Sequence, residues 1–285
     1  MKEFLLITNQ IKDPEGVHTK RIMDFLESRG AHAVCADGEE MPDSGAWKQK
    51  APTYQCVLVL GGDGTMLQAA RDLFGTDIPL LGINLGTLGY LAEVEMSNVE
   101  EALERLLRDE YTREERMMLE GTICGKTAGE GQATEDGYAL NDIVISRCGS
   151  LQILTFQIFV NGQFLNSYSA DGMIVATPTG STGYNMSAGG PIVEPGASLL
   201  LLTPICPHTL NTRSIVLAPE DEIRIEIPSG RDGRKQTVEA NFDGSHKVTL
   251  ETGDSIRIRR ASRTAGFLKL NTESFLTVLH KKMSE

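Results

Sequence analysis

Residues 56–67 carry the pattern that most limits the folds open to this chain. Cys56-Val57-Leu58-Val59-Leu60 is a short apolar run, long enough for one buried strand, and Gly61-Gly62-Asp63-Gly64-Thr65 follows it. Met66 to Leu73 then reads as a helix, with Leu67, Ala70 and Leu73 at i, i+3, i+6 spacing. Strand, glycine turn and helix together aim backbone N–H groups at an anion, with the positive end of the helix dipole behind them. A carboxylate inside such a turn repels phosphate, so Asp63 has two readings. It handles a proton or a metal ion beside the phosphate, or it caps the helix, with Thr65 as an alternative cap. The turn alone does not choose between them.

The surrounding chain says which kind of sheet holds this turn. Phe4 to Thr8, Ala31 to Ala36 and Ile78 to Asn84 are strand candidates. Val17 to Ser28 and Ser97 to Arg108 have helical periodicity, and Gly30 ends the first of these. Asp37 to Tyr54, with Pro42 and Pro52, reads as loop with some helix. Strands alternating with helices predict a parallel sheet, which binds ligands beyond the carboxyl ends of its strands. Gly61 to Thr65 and Asn84 to Tyr90 both fall at such ends.

Around Tyr111 the rhythm changes to short, alternating, turn-bounded runs. Ile143 to Ile145, Leu154 to Val160, Gly172 to Ala176, Ile215 to Leu217, Ile223 to Ile227, Val248 to Leu250 and Ile256 to Ile258 read as strands. Asn161-Gly162, Asp232-Gly233 and Asp243-Gly244 read as hairpin turns. Phe267 to Lys282 looks helical, with Phe275, Leu276 and Leu279 in need of burial. The expected organisation is an α/β N-terminal domain of residues 1–110, completed by a C-terminal helix in 267–285 that returns to it. A β-rich second domain takes 111–266.

A net charge of −12 repels nucleic acid and anionic membrane surfaces, so neither is an expected partner. A phosphorylated ligand stays open, because a local glycine turn or bound cation reverses the field at one site. Met1-Lys2-Glu3 runs into an apolar stretch too short for a signal sequence, and no run approaches the roughly 18 residues of a spanning helix. Cys35, Cys56, Cys124, Cys148 and Cys206 form no CxxC and fit reduced thiols. The expected location is cytoplasmic.

A second informative stretch is Thr177-Pro178-Thr179-Gly180-Ser181-Thr182-Gly183-Tyr184-Asn185, rich in hydroxyl groups directly after a strand. It suits sugar hydroxyls, phosphate oxygens or a metal-bound water; the lesser alternative is an ordinary Ser/Thr-rich loop. Asn141-Asp142 stands at a strand entrance, a pair also common in turns. Several motifs fail on inspection. Gly125-Lys126-Thr127 is preceded by Glu120 where a P-loop needs glycine, and Thr179 stands where a nucleophile elbow around Ser181 needs one. His208, after Cys206-Pro207, has no further His or Cys nearby to complete a zinc site, and Gly61-Gly62-Asp63-Gly64 is not GxGxxG.

These stretches together resemble the NAD kinase family, whose members phosphorylate the 2′-hydroxyl of the adenosine ribose of NAD to give NADP. The resemblance rests on Gly61 to Thr65, Gly82 to Leu91, Leu140-Asn141-Asp142, Asp171-Gly172, Thr177 to Tyr184, Cys206 to Leu210 and Asp243-Gly244. It implies ATP as donor, with Mg²⁺ or another divalent cation, NAD as acceptor, and a homo-oligomer, dimer or tetramer. It implies that Asp63 is the general base and that Gly61, Gly62, Gly64 and Thr65 line the phosphate turn. It implies that residues 111–266 bind the dinucleotide. There, Asn141 and Asp142 hold it, Asp171 contacts its nicotinamide side, and Thr182, Gly183, Tyr184 and Ser187 surround the adenosine and its ribose. Asp142 stands where the family usually has Glu, Gly183 where it has Ala, and Ser245 where it often has Gln. None of these departures removes a catalytic group. A lipid kinase sharing the glycine turn and a catalytically silent dinucleotide-binding regulator are the alternatives. Whether polyphosphate replaces ATP is open.

Overall fold

A computed structural model describes residues 1–36, 53–86, 89–125, 133–149, 153–209, 212–230, 233–270 and 274–284. The loop and helix expected from Asp37 lie outside the described residues as far as 52. The chain divides into two compact units, Met1–Arg116 with Ala265–Glu285, and Met117–Thr264.

In the first unit the chain forms β1 (Glu3–Thr8), α1 (Val17–Ser28), β2 (His32–Cys35), β3 (Cys56–Gly61), α2 (Asp63–Asp72), β4 (Leu80–Asn84), β5 (Val94–Glu95), α3 (Val99–Leu107) and β6 (Thr112–Arg116). β1 pairs in parallel with β2 and β3, β3 with β4, and β4 with β5, as the alternating pattern predicts. β3 is buried at every position because helices cover both faces of such a sheet. Ile22 and Leu26 of α1 and Val99, Leu103 and Leu106 of α3 join Phe4, Leu58 and Ile83 in one core. α2 begins at Asp63, three residues before the expected start; of the expected apolar positions Ala70 and Leu73 are buried and Leu67 is only half-buried, with Met66 and Ala69 completing the buried face. Gly82 of β4 makes room for Met66, since a Cβ there would stand 2.9 Å from the Met66 sulfur.

The second unit is two antiparallel sheets. One has the order β11-β10-β15-β18-β7-β8, from β7 (Leu119–Cys124), β8 (Ala133–Ala139), β10 (Leu154–Val160), β11 (Gln163–Ala170), β15 (Ile223–Glu226) and β18 (Ser255–Arg260). The other has the order β14-β13-β12-β9-β16-β17, from β9 (Asp142–Arg147), β12 (Gly172–Ala176), β13 (Leu200–Ile205), β14 (Ile215–Leu217), β16 (Thr237–Phe242) and β17 (His246–Glu251). Phe156, Ile225 and Ile256 of the first sheet share a core with Ile143, Val175 and Phe242 of the second. Asn161-Gly162 and Asp243-Gly244 are left-handed pairs, with φ of 50° and 78° and of 48° and 72°, and close the β10–β11 and β16–β17 hairpins. Gly233, with φ of 74°, lies in a tight turn in which its N–H bonds Gly230 O at 2.9 Å and the Gly230 N–H bonds Arg234 O at 2.9 Å, but it joins no strand pair, because β15 and β16 lie in different sheets; Asp232 is outside the described residues.

The tail differs from the single helix expected from Phe267. Ala265–Lys269 is a strand, β19, parallel to β4 and antiparallel to β6, so it completes the first unit's sheet between them. The buried apolar residues of the tail are Phe267, Leu268 and Leu270. The helix proper, α5, runs from Phe275 to Met283 behind a Ser274 cap and has no buried residue. Leu276, expected to need burial, is 70% exposed.

Candidate active site

β1, β3 and β4 are neighbouring parallel strands, so the turns leaving their carboxyl ends lie side by side. Asp63 is the first residue of α2, and Gly62 before it is the cap position, with no side-chain cap bond. The half-buried Asp63 carboxylate turns instead to the segment beyond β4, accepting the Tyr90 N–H at 2.9 Å and the Leu91 N–H at 3.1 Å. Thr65 is no cap either; its hydroxyl accepts from Asn9 Nδ2 at 3.2 Å. Neither capping reading therefore describes the turn. One N–H meets each Asp63 oxygen, which leaves a second lone pair on each for a further donor. None of the glycines around it has a positive φ. Space is their contribution: a Cβ on Gly89 would fall within the Asp63 carboxylate, while one on Gly64 would meet nothing. Asn84 locks the neighbouring turn, donating to Gly86 O at 2.7 Å and accepting its N–H at 3.0 Å.

In the second unit the functional candidates gather at one end of the β9-containing sheet. Asp142 opens β9 opposite Ala176, the last residue of β12; on the other side Phe242 of β16 stands opposite Ile143, and Asp243, just past it, donates its N–H to Asp142 O at 3.0 Å. The Asp243 carboxylate accepts the N–H groups of Leu140 at 2.9 Å, Asn141 at 2.8 Å and Asp142 at 3.2 Å. Thr177 adds its N–H to Asn141 O at 2.9 Å and its hydroxyl to Leu140 O at 2.6 Å. The backbone of the Asn141-Asp142 pair is thus fixed from both sides. Asn141 Oδ1 is buried without a hydrogen-bond partner among the described residues, an acceptor left with capacity for a donor. Burial, and then the Asp243 carboxylate, pushes the Asp142 carboxyl up to about 7.

The hydroxyl-rich stretch sorts by burial. Thr177 also accepts the Gly180 N–H at 3.0 Å, and Ser181 exchanges bonds with Val193 N–H and O at 3.0 and 3.1 Å, so both serve the fold. Asn185 is fully buried and bonds Ser181 O, Pro191 O and the Thr203 hydroxyl. Thr182, Gly183, Tyr184 and Ser187 keep exposed or half-exposed positions, and a Cβ on Gly183 would stand 3.4 Å from Asn141 Nδ2. Asp171 pairs with Arg147 at 3.2 Å. Among the described residues no cluster of three His, Cys, Asp or Glu side chains could hold a metal ion, and no helix is long and apolar enough to cross a membrane.

Comparison with known proteins decides what this geometry belongs to. The ATP-NAD kinase N-terminal domain family matches residues 39–111, and the ATP-NAD kinase C-terminal domain family matches residues 140–270. The NAD kinase of Lachnospira eligens is 47% identical over 297 residues, covering 99% of this chain and 100% of that protein. That of Agathobacter rectalis is 46% identical over 286 residues, covering 99% of each. The chain belongs to the NAD kinase family. Among solved structures, an NAD kinase from Archaeoglobus fulgidus in complex with ATP has 25% identity and a TM-score of 0.75, covering 99% of each chain. Yeast NADH kinase complexed with NADH shares the fold, with 24% identity, a TM-score of 0.85, and cover of 99% of this chain and 88% of that one.

For this member of the NAD kinase family, the structure brings Gly61, Gly62, Asp63, Gly64 and Thr65 together at one turn. It brings Asn141, Asp142 and Gly183 together at one sheet end, with Thr182, Tyr184 and Ser187 following on the loop and the short helix α4 (Tyr184–Ser187). It does not bring Asp171 to them. Asp171 precedes β12 and Thr177 follows it, so a five-residue strand, about 17 Å, separates the two. Sequence reasoning gave no role to Asn9 or the N–H groups of Tyr90 and Leu91, and none to the Asp243 carboxylate. A turn residue such as Asp243 shows no local sign that it holds backbone 101–103 residues away.

The raised Asp142 carboxyl has a consequence for stability. The native state holds that proton more tightly than the unfolded chain, whose value is about 3.9. The resulting stabilisation is full at low pH and is lost as pH rises through about 7. Asp142→Asn, always neutral, should gain stability over wild type by on the order of 1 kcal/mol per pH unit between about pH 5 and about pH 7. Thermal midpoints of both proteins across that range check this; parallel curves would refute it.

Proposed function

We propose that this protein transfers the terminal phosphoryl group of ATP to the 2′-hydroxyl of the adenosine ribose of NAD, giving NADP and ADP. The observation that carries the mechanism is the Asp63 carboxylate, turned by two backbone N–H groups at a glycine turn with lone pairs to spare. The hydroxyl oxygen attacks the terminal phosphorus, the bond to the β-phosphate oxygen breaks, and Asp63 takes the hydroxyl proton. Gly61, Gly62, Gly64 and Thr65 offer backbone and hydroxyl donors to the phosphates. A divalent cation comes with the nucleotide as part of the substrate, since the described residues offer it no cluster of their own. In the second unit Asn141 Oδ1 accepts an N–H of the dinucleotide, with Asp142, Thr182, Gly183, Tyr184, Ser187 and Asp171 as its other contacts.

The reading includes a cytoplasmic homo-oligomer; light scattering reads the oligomer, and a monomer would remove that part alone. The main test supplies Mg²⁺, ATP and one acceptor at a time and identifies products by mass and phosphorus NMR. NAD should give NADP, and an analogue with a 2′-deoxy adenosine should give nothing. Phosphorylated diacylglycerol without NADP would replace this reading with a lipid kinase. No product from any acceptor would favour a silent dinucleotide-binding regulator.

A further inference from the structure

Lys12 occupies a place that the fold builds, its ammonium beside Gly62 and Gly86. The chain turns after β1 at Asn9, whose Oδ1 accepts the N–H groups of Ile11 at 3.0 Å and Lys12 at 3.2 Å. The Asn9 N–H bonds Leu60 O at 2.8 Å, and its Nδ2 reaches the Thr65 hydroxyl. One side chain therefore ties this turn to the glycine turn. Lys12 is carried across the ends of β3 and β4, with Nζ 3.2 Å from where a Cβ on Gly62 would stand and 3.1 Å from the same point on Gly86. Gly62 has an extended backbone, φ −130° and ψ −168°, which other residues also adopt. With no side chain at either position, the ammonium lies close against the backbone of both turns.

The charges around Lys12 are one-sided. It is exposed and makes no ion pair among the described residues. Asp13, beside it in sequence, faces α1 and accepts the His18 N–H, the Thr19 N–H and the Thr19 hydroxyl at 3.1, 2.9 and 2.7 Å. Both oxygens of Asp63 are turned to Tyr90 and Leu91. The ammonium thus stands at the amino end of α2, a ten-residue helix whose dipole disfavours a cation there. In a chain of net charge −12, helix end and lysine converge on one spot with the same sign. An anion between them turns that repulsion into attraction on both sides.

We propose that Lys12 is a ligand of the donor's phosphate chain, its ammonium and the amino end of α2 holding the phosphoanhydride oxygens between them. The proposal deepens the kinase reading above and rests on it. Lysine suits the task as a compact point charge that follows phosphate oxygens as negative charge shifts towards the leaving group.

The experiment compares wild type with Lys12→Met and Lys12→Arg. It measures the KM for ATP and for NAD, and the Kd of Mg·ATP by calorimetry without acceptor. Lys12→Met should raise both ATP constants by about 10- to 100-fold and leave the KM for NAD within about threefold. Lys12→Arg should recover most of the ATP affinity, which a purely structural role for the methylene stem would not require. An active wild type whose Lys12→Met variant binds ATP within about twofold of normal overturns the assignment of Lys12 alone. So does a change confined to NAD. A wild type that forms no NADP yet loses ATP binding in Lys12→Met overturns the kinase reading and keeps Lys12 as a phosphate ligand.

Discussion

Asp63→Asn should lower turnover by about 10²- to 10⁴-fold and leave NAD binding within a few-fold of wild type. Asparagine keeps the size of the side chain and loses its basicity. It also sets an amide NH₂ against the N–H of Tyr90 or Leu91, so one of the two bonds that orient the group is lost. Loss of orientation and loss of basicity act in the same direction on the chemical step. Calorimetric NAD binding and turnover, measured on one preparation, separate the chemical defect from misfolding. Turnover within a few-fold of normal would show that Asp63 serves only to hold the segment at Tyr90 and that the proton goes elsewhere.

Asp243→Ala should damage acceptor binding from a position that supplies no ligand contact in the reading above. Its carboxylate gathers three consecutive N–H groups, and bonds to a charged acceptor contribute roughly 1.5–3 kcal/mol each, less when lost together. Freed, the Asn141-Asp142 backbone no longer presents Asn141 Oδ1 in a fixed place. The KM for NAD should rise by at least about 10-fold, with a lower thermal midpoint, while the Kd of Mg·ATP stays near normal. Asp243→Asn, which keeps one oxygen acceptor, should fall between the two. An equal loss of ATP and NAD affinity would point to general unfolding and defeat the argument.

The elements legible in the sequence were those whose apolar pattern has one period. Val17–Ser28, Leu154–Val160, Gly172–Ala176 and Ile215–Leu217 fall where their side chains predict, because burial of one face or of the whole run decided them. Thr112–Arg116 and Gln163–Ala170 were not legible. The first is Thr-Arg-Glu-Glu-Arg, a strand only because β19 pairs with it along its whole length. The second is an edge strand with five exposed residues at its start, so no alternation marks it. Phe267-Leu268-Lys269-Leu270 fits helix and strand equally, and the open edge of β4 chose strand. At the site, glycine spacing singled out Asp63, but its partners arrive 27 and 28 residues later. The hydroxyls of residues 177–184 are chemically alike on paper. Only burial separates Thr177 and Ser181, turned inward, from Tyr184, which is 46% exposed.

The position of β19 also bears on how the chain is made. A ribosome releases the N-terminal unit first, yet that unit's sheet lacks an interior strand until residues 265–269 emerge. Until then the Leu80 end of β4, short of the Ile83-Asn84 stretch that β5 pairs, presents an unpaired edge, the kind of surface that invites pairing with another chain. The intervening residues 117–264 hold all strands of their own two sheets and are free to close first. We expect the later-made unit to be the earlier-folded one. A ribosome-bound chain arrested once residue 264 has cleared the exit tunnel should resist protease across 117–264 and remain cleavable within 1–116; protection of both would show that the first sheet closes without its last strand.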